Sequence, residues 1–312
     1  VSEIYVVRYR EEMKGEWTEF VKSSRNGIFL FDRGYMDYHS HRFEDISLMI
    51  YESNKLISVL PINVKGNIAY SHAGLTYGGM VYDERMTSNK MLEAMRAVRS
   101  YLSGNNIEVL FYKPIPYIFS KIPSQEDLYA LTIMGAKLVK RDLSSAICLS
   151  SIPKISKGRK YQVNLAKKNN VLVEKSDEYI AYWKVLEKVI SKHGVQPVHS
   201  VDEIKLLASR FSENIKLYTA SIDEKIEAGI VLYDNGSVIH TQYMAATDTA
   251  RNVGALDLVI SQIIDVYKDC RTYLSFGIST ENEGKDLNVG LIRQKESFGA
   301  RGLVHDLYEL HI

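Results

Sequence analysis

The order of elements implied by hydrophobic spacing occurs twice along this chain, and a repeat on that scale restricts the available folds more than any single motif. In the first half, residues 17–24 put Trp17, Phe20 and Val21 on one side of a helix, and Arg25-Asn26-Gly27 then breaks the pattern. A short buried strand is expected at 28–31. Residues 45–52 and 55–64 read as a hairpin turned at Ser53-Asn54, followed by a Gly/Tyr-rich strand at 67–81. Met91, Ala94, Met95, Val98 and Leu102 give 90–103 a helical stripe, and 107–112 reads as a buried strand. The second half repeats the order. A helix at 177–192 precedes a hairpin, 215–222 with 225–233, turned at Asp223-Glu224. A strand at 237–246, a helix at 255–268, a strand at 272–276, a helix at 287–298 and a last strand at 302–310 follow. Helices and strands mixed within one sheet imply an α/β class (α+β mixed sheets), in two domains joined near the Ser/Pro-containing stretch 150–156. The expected division is 1–150 and 151–312.

A chain of 312 residues accommodates two domains of ordinary size, and its 46% hydrophobic content fills two cores. The net charge of +1 gives no general attraction for DNA or an anionic membrane, so any basic recognition must be local. Cys148 and Cys270 stand far apart without metal-ligand spacing, and no metal site is expected. No apolar run reaches membrane-spanning length, and Val1-Ser2-Glu3 opens no basic-then-apolar leader, so a cytoplasmic protein is expected.

The sharpest local feature is the joint Thr247-Asp248-Thr249-Ala250-Arg251-Asn252-Val253-Gly254-Ala255 between a strand and a helix. Free N–H groups at the positive end of a helix bind pyrophosphate, Arg251 adds a charge, and Gly254-Ala255 let backbone come close. The same residues serve equally as an ordinary strand–helix connection with a turn glycine. Residues 157–168 form a basic helix with Lys160, Asn164, Lys167 and Lys168 on one side and Val163 and Ala166 on another. That face is either solvated or a phosphate-binding edge. His72, among glycines and hydroxyls, suits general base work because imidazole titrates near neutrality, although a lone His is more often structural. His39 and His41 straddle Ser40 in a loop. Strand alternation pairs His240 with Gln242 on one face and Thr241 with Tyr243 on the other.

The ordered set of these pieces resembles tandem GNAT-fold acyltransferases, namely the Fem-type aminoacyl transferases and the bacterial nucleotide-sugar N-acyltransferases of surface-polysaccharide pathways. The N-terminal part of the resemblance is Ser24-Arg25-Asn26-Gly27, Tyr35-Met36-Asp37-Tyr38-His39, Arg42-Phe43-Glu44-Asp45, Leu60-Pro61 and the 71–79 segment beginning Ser71-His72-Ala73-Gly74. The C-terminal part is Phe276-Gly277-Ile278-Ser279-Thr280-Glu281-Asn282, Leu287-Asn288 and Gln294-Lys295-Glu296-Ser297-Phe298-Gly299, together with the basic helix. The resemblance implies an acyl-coenzyme A co-substrate held by the second domain, with Gln242, Tyr243 and Met244 beside the thioester and Arg251, Asn252, Val253, Gly254 and Ala255 at the pyrophosphate. The usual loop there is Gln or Arg, two residues, Gly, one residue, then Gly or Ala. Arg251 and Gly254 match, whereas the last position is Leu256. The acceptor, a nucleotide-linked amino deoxysugar, is expected in the cleft between the domains, at Tyr35, His39, Arg42 and Tyr77 of the first, with Lys160 and Lys167 as a phosphate-binding edge. His72 is the expected base and Glu281 the alternative. Many GNAT enzymes protonate the leaving thiolate with a Tyr of the last helix, and 291–298 has none. Transfer from aminoacyl-tRNA to a peptidoglycan precursor is the competing reading, and a ligand-binding pair without catalysis a third. The small net charge and the lack of a long helical insertion weigh against tRNA.

Overall fold

The structure, a computed structural model, describes residues 3–194 and 196–312. Val1 and Ser2, on which the reading of a leaderless start rests, lie outside the described residues. The chain divides into two compact units. The first comprises Val1–Asp142 with Asn282–Asp286 and Val304–Ile312, the second Leu143–Glu281 with Leu287–Leu303. The change-over therefore falls eight residues before the expected 150/151, and the first unit recovers two pieces from the end of the chain.

In the first unit, strands Ile4–Arg8, Leu48–Glu52, Lys55–Leu60 and Val81–Tyr82 form an antiparallel sheet in that order. Ser53 and Asn54 turn its hairpin with φ of 45° and 68°, the left-handed pair that a tight two-residue connection demands. Helix Ser88–Gly104 starts where Thr87 accepts the Lys90 N–H and packs the expected stripe into the core. Strand Val109–Tyr112 lies between Ile68–Tyr70, parallel to it, and the 308–311 stretch of the last strand, antiparallel. Two expectations fail here. Residues 28–31 hold one turn of 3₁₀ helix, Phe29–Phe31, and only Ile68–Tyr70 and Val81–Tyr82 of the expected 67–81 strand are extended. Between them the chain packs on itself: a Cβ on Gly78 would lie 1.6 Å from the Ser71 carbonyl oxygen.

The second unit is a meander. Strands Leu172–Ser176, Ile215–Ile222, Lys225–Asp234 and Val238–Ala246 run antiparallel in sequence order. Asp223 and Glu224, at φ 47° and 63°, turn the expected hairpin. Strand Tyr273–Ile278 then pairs parallel with Val238–Ala246, and Ser144–Cys148 pair on its other side. Helices Lys157–Lys168 and Ala255–Tyr267 supply Ala166, Leu258, Val259 and Ile263 to the core. The Ser200–Glu203 capping box opens a helix, Val201–Arg210, absent from the sequence reading. Among the described residues no helix is long and apolar enough to cross a membrane, and no three His, Cys, Asp or Glu side chains cluster as metal ligands.

Candidate active site

The central feature of the second unit is a pair of parallel strands that part. Val238–Ala246 and Tyr273–Ile278 pair only at Val238 with Tyr273, Ile239 with Leu274 and His240 with Ser275. Beyond His240 the two backbones share no ladder, so a wedge opens between them. Two local irregularities accompany the opening. Thr241 faces Leu232 while Tyr243 faces Val231, which leaves Gln242 as a bulge and breaks the expected alternation. Gly277, at φ 73°, bends the other strand. At the apex His240 Nδ1 lies 3.2 Å from Ser275 Oγ.

The wedge opens into a cleft of about 540 Å³ lined by Met244, Ala246, Arg251, Leu256, Leu291 and Gln294, among others. Arg251 is half-exposed beside Asp248 at 3.6 Å. Gln242, Asn252, Val253, Gly254 and Ala255 do not line it, and Val253 and Ala255 pack into the core. Tyr243 turns away: its hydroxyl meets His199 Nδ1 at 2.5 Å, its ring lies edge-on to Trp183, and burial raises its pKa to about 12.

The loop has the expected outline. Thr247 accepts the Ala250 N–H at 3.2 Å and opens the short helix Asp248–Asn252, and Gly254, at φ 73°, precedes helix Ala255–Tyr267, whose first N–H groups lack intrahelical acceptors. What Gly254 admits is a different matter. A Cβ there would lie 2.4 Å from the Gln162 carbonyl oxygen, so the close approach that glycine permits is made by helix Lys157–Lys168. Any side chain at 254 would therefore displace that helix.

Arg159 anchors that helix. Its Nη1 pairs with Asp257 at 2.8 Å, its Nε donates to Ser297 Oγ at 2.7 Å, and its guanidinium lies 5.0 Å from the Phe298 ring centroid. The sequence carried a signal for this. Arg159 stands four and seven residues before Val163 and Ala166, on the apolar side of an otherwise basic helix. Lys160 and Lys167 are exposed on the solvent side. Lys295 was also missed. It is buried, and its ammonium donates to the Gly277 and Ile278 carbonyls at 3.0 and 2.8 Å and to Ser279 Oγ at 2.8 Å, clamping the strand end beside the wedge. Burial lowers its pKa to about 8. Glu281 is exposed and accepts from Asn288 Nδ2 at 2.7 Å.

In the first unit the structure gathers His39 and His72 but encloses them. Their rings stack with centroids 5.7 Å apart, and Phe43 lies 5.2 Å from His72. His72 is buried at φ 60°, a left-handed conformation that costs a non-glycine residue free energy, and its Nδ1 has no hydrogen-bond partner among the described residues. Burial, only partly opposed by Asp45, pulls its pKa far below the ordinary value. An imidazole held neutral in that way accepts protons poorly, which argues against the expected base role. Tyr77 is buried against Phe119 and His305 at 4.8 and 5.3 Å, and Tyr35 against Phe29 and Tyr38, so neither ring offers a face for stacking. Arg42 is exposed, and Asp45 pairs with buried Arg33 at 3.0 Å.

A meander whose last strand parts from a parallel neighbour, with a helix springing from the loop between them, defines the acyltransferase fold of the GNAT type. Residues 157–283 match the family model described as an acetyltransferase (GNAT) domain. No curated protein matches the chain in sequence. The structure of FemX superposes with a TM-score of 0.70 at 11% identity, covering 98% of this chain and 97% of that one. The C-terminal domain of a putative lysylphosphatidylglycerol synthetase from Agrobacterium fabrum gives 0.58 at 12%, over 81% and 80%. A tandem GNAT protein from the clavulanic acid biosynthesis pathway gives 0.52 at 11%, over 99% and 98%. At such identities the likeness is one of fold, and it runs along nearly the whole chain.

Proposed function

We propose that the protein is an N-acyltransferase that moves an acetyl or short hydroxyacyl group from coenzyme A to the amine of a nucleotide-linked amino deoxysugar. The observation that carries the transferase reading is the parting of the two strands after His240. A linear amide-bearing arm fits such an opening as an added strand, with backbone groups as its partners. The amine nitrogen attacks the thioester carbonyl carbon, backbone N–H groups of the wedge stabilise the tetrahedral oxyanion, and its collapse breaks the C–S bond and releases coenzyme A as the thiol, with the proton the amine gives up. The amine must lose its proton, and no covalent enzyme intermediate is required. The test offers acetyl- and 3-hydroxybutyryl-CoA with a panel of dTDP- and UDP-linked amino sugars and follows free thiol. Thiol release that requires both substrates is the expected result, and its absence across the panel overturns the proposal.

One observation favours a second reading. The likeness of fold to FemX along nearly the whole chain supports Fem-type transfer from aminoacyl-tRNA to a peptidoglycan precursor. That reading requires retention on RNA and aminoacyl transfer without thiol release.

A further inference from the structure

Helix Lys157–Lys168 turns one side inward, with Val163 and Ala166 on the core and Arg159 paired to Asp257. On its outer side Lys157, Tyr161, Asn164 and Lys168 recur at spacings of four, three and four residues, a stripe along about 18 Å of helix, and Lys160 and Lys167 flank it, all exposed. Lys154, in the connection ahead of the helix, adds a fifth exposed ammonium. Residues 143–173 contain no Asp or Glu. None of the five ammonium groups has an ion pair or a hydrogen bond among the described residues. Like charges gathered within about a Debye length repel one another, so the arrangement is unfavourable until an anion faces it. Two features select the anion. The cations are all lysines, whereas the one arginine of the segment, with the planar fork that suits paired hydrogen bonds to an individual phosphate, is the group turned inward. Point charges on flexible stems suit a diffuse array instead. Tyr161, 64% exposed in the middle of the stripe, has the apolar body and polar tip that settle at a membrane–water interface, where lysine stems also lie along apolar surface with their ammonium groups among the headgroups.

We propose that this face docks peripherally on an anionic phospholipid bilayer, with the helix lying along the surface and Tyr161 between the headgroups. A cluster of lysines of this size on one helix is enough for such an attachment, even in a chain whose net charge is only +1. The inference goes beyond the transferase reading and does not depend on it.

The full chain is sedimented with vesicles of phosphatidylcholine alone and of phosphatidylcholine mixed with phosphatidylglycerol, each at two salt concentrations. Wild type should pellet with the mixed vesicles and not with the neutral ones, and less at the higher salt. Lys157→Gln/Lys168→Gln should bind the mixed vesicles roughly 30-fold more weakly, since each lysine near an anionic surface contributes about a factor of five. Tyr161→Ser should lose affinity by a factor that salt leaves unchanged. Lys184→Gln/Lys188→Gln, the same change of charge on helix Tyr179–Ile190, should bind as wild type does. Both lysine variants should keep the wild-type melting curve, because all four side chains are exposed. Failure of wild type to pellet with the mixed vesicles, equal pelleting with neutral ones, or equal affinity of the two lysine variants overturns the proposal. So does a short single-stranded RNA that displaces the protein from the vesicles and is itself held through Lys157 and Lys168, which would make the face one for nucleic acid.

Discussion

Gly254→Ala separates two uses of one glycine. The substitution has two costs. The first is backbone: an L side chain at φ 73° loses about 1–2 kcal/mol. The second is packing: a Cβ 2.4 Å from the Gln162 carbonyl oxygen forces helix Lys157–Lys168 to move, a change of the overpacking kind that costs about 1–3 kcal/mol. Gly236→Ala is the control, since Gly236 has φ 85° and nothing within 4 Å of an added Cβ, so it carries the backbone cost alone. For a unit of roughly 150 residues, each kcal/mol lowers Tm by about 2–4 °C. Gly254→Ala should therefore melt about 2–12 °C below Gly236→Ala, as measured by circular dichroism at fixed heating rate. Donor titration on both variants completes the assay. If the two variants melt together while Gly254→Ala alone loses donor affinity, the glycine faces a ligand and the helix-packing argument is wrong.

Filling the cleft with Leu291→Trp should reduce transfer by more than tenfold through the donor KM, whereas Tyr243→Phe, whose hydroxyl faces His199, should stay within threefold; comparable losses would mean the lining has been misassigned. Lys295→Met removes three hydrogen bonds and should cost about 2–4 kcal/mol in denaturant titration. Because the folded pKa of Lys295 is about 8 against 10.5, the unfolded state holds more protons between those values. Wild-type stability should therefore gain from pH 8 to 10.5, and the variant should lack that component. For His72 the folded pKa lies below the unfolded 6.5, so its contribution is full above pH 6.5 and is lost as pH falls towards about 3. His72→Gln should flatten this acid limb of the melting profile while changing kcat by less than tenfold, and a 100-fold fall in kcat would restore the base role.

The hairpins at Ser53-Asn54 and Asp223-Glu224 were legible because two polar residues between alternating runs allow little else. The strand–loop–helix at 238–267 was legible for a similar reason: periodicity changes from two to near four at a capping Thr247. The capping box at Ser200 was present and went unread. The 71–80 loop was misread because Gly and Tyr have no period of their own, and its shape depends on contacts such as Gly78 against Ser71. The surroundings of the site residues were the least legible. Whether Gly254 meets a phosphate or a helix, and whether the Tyr77 and His72 rings are open or enclosed, depends on chain brought in from elsewhere in the sequence. Charge pattern showed that helix Lys157–Lys168 is basic and the spacing from Val163 and Ala166 put Arg159 on its apolar side, but only packing showed that its partner there is Asp257.

The first unit has a consequence for the order in which the protein is made. Its strand Val109–Tyr112 is flanked on one side by residues 308–311, and His305 packs on Tyr77. A ribosome delivers those partners some two hundred residues after the strand they complete. Until then Val109–Tyr112 presents an open edge, a template for unwanted strand pairing. The unit encoded first is thus the one finished last, and a chain stopped before residue 304 would leave this sheet without its closing strand.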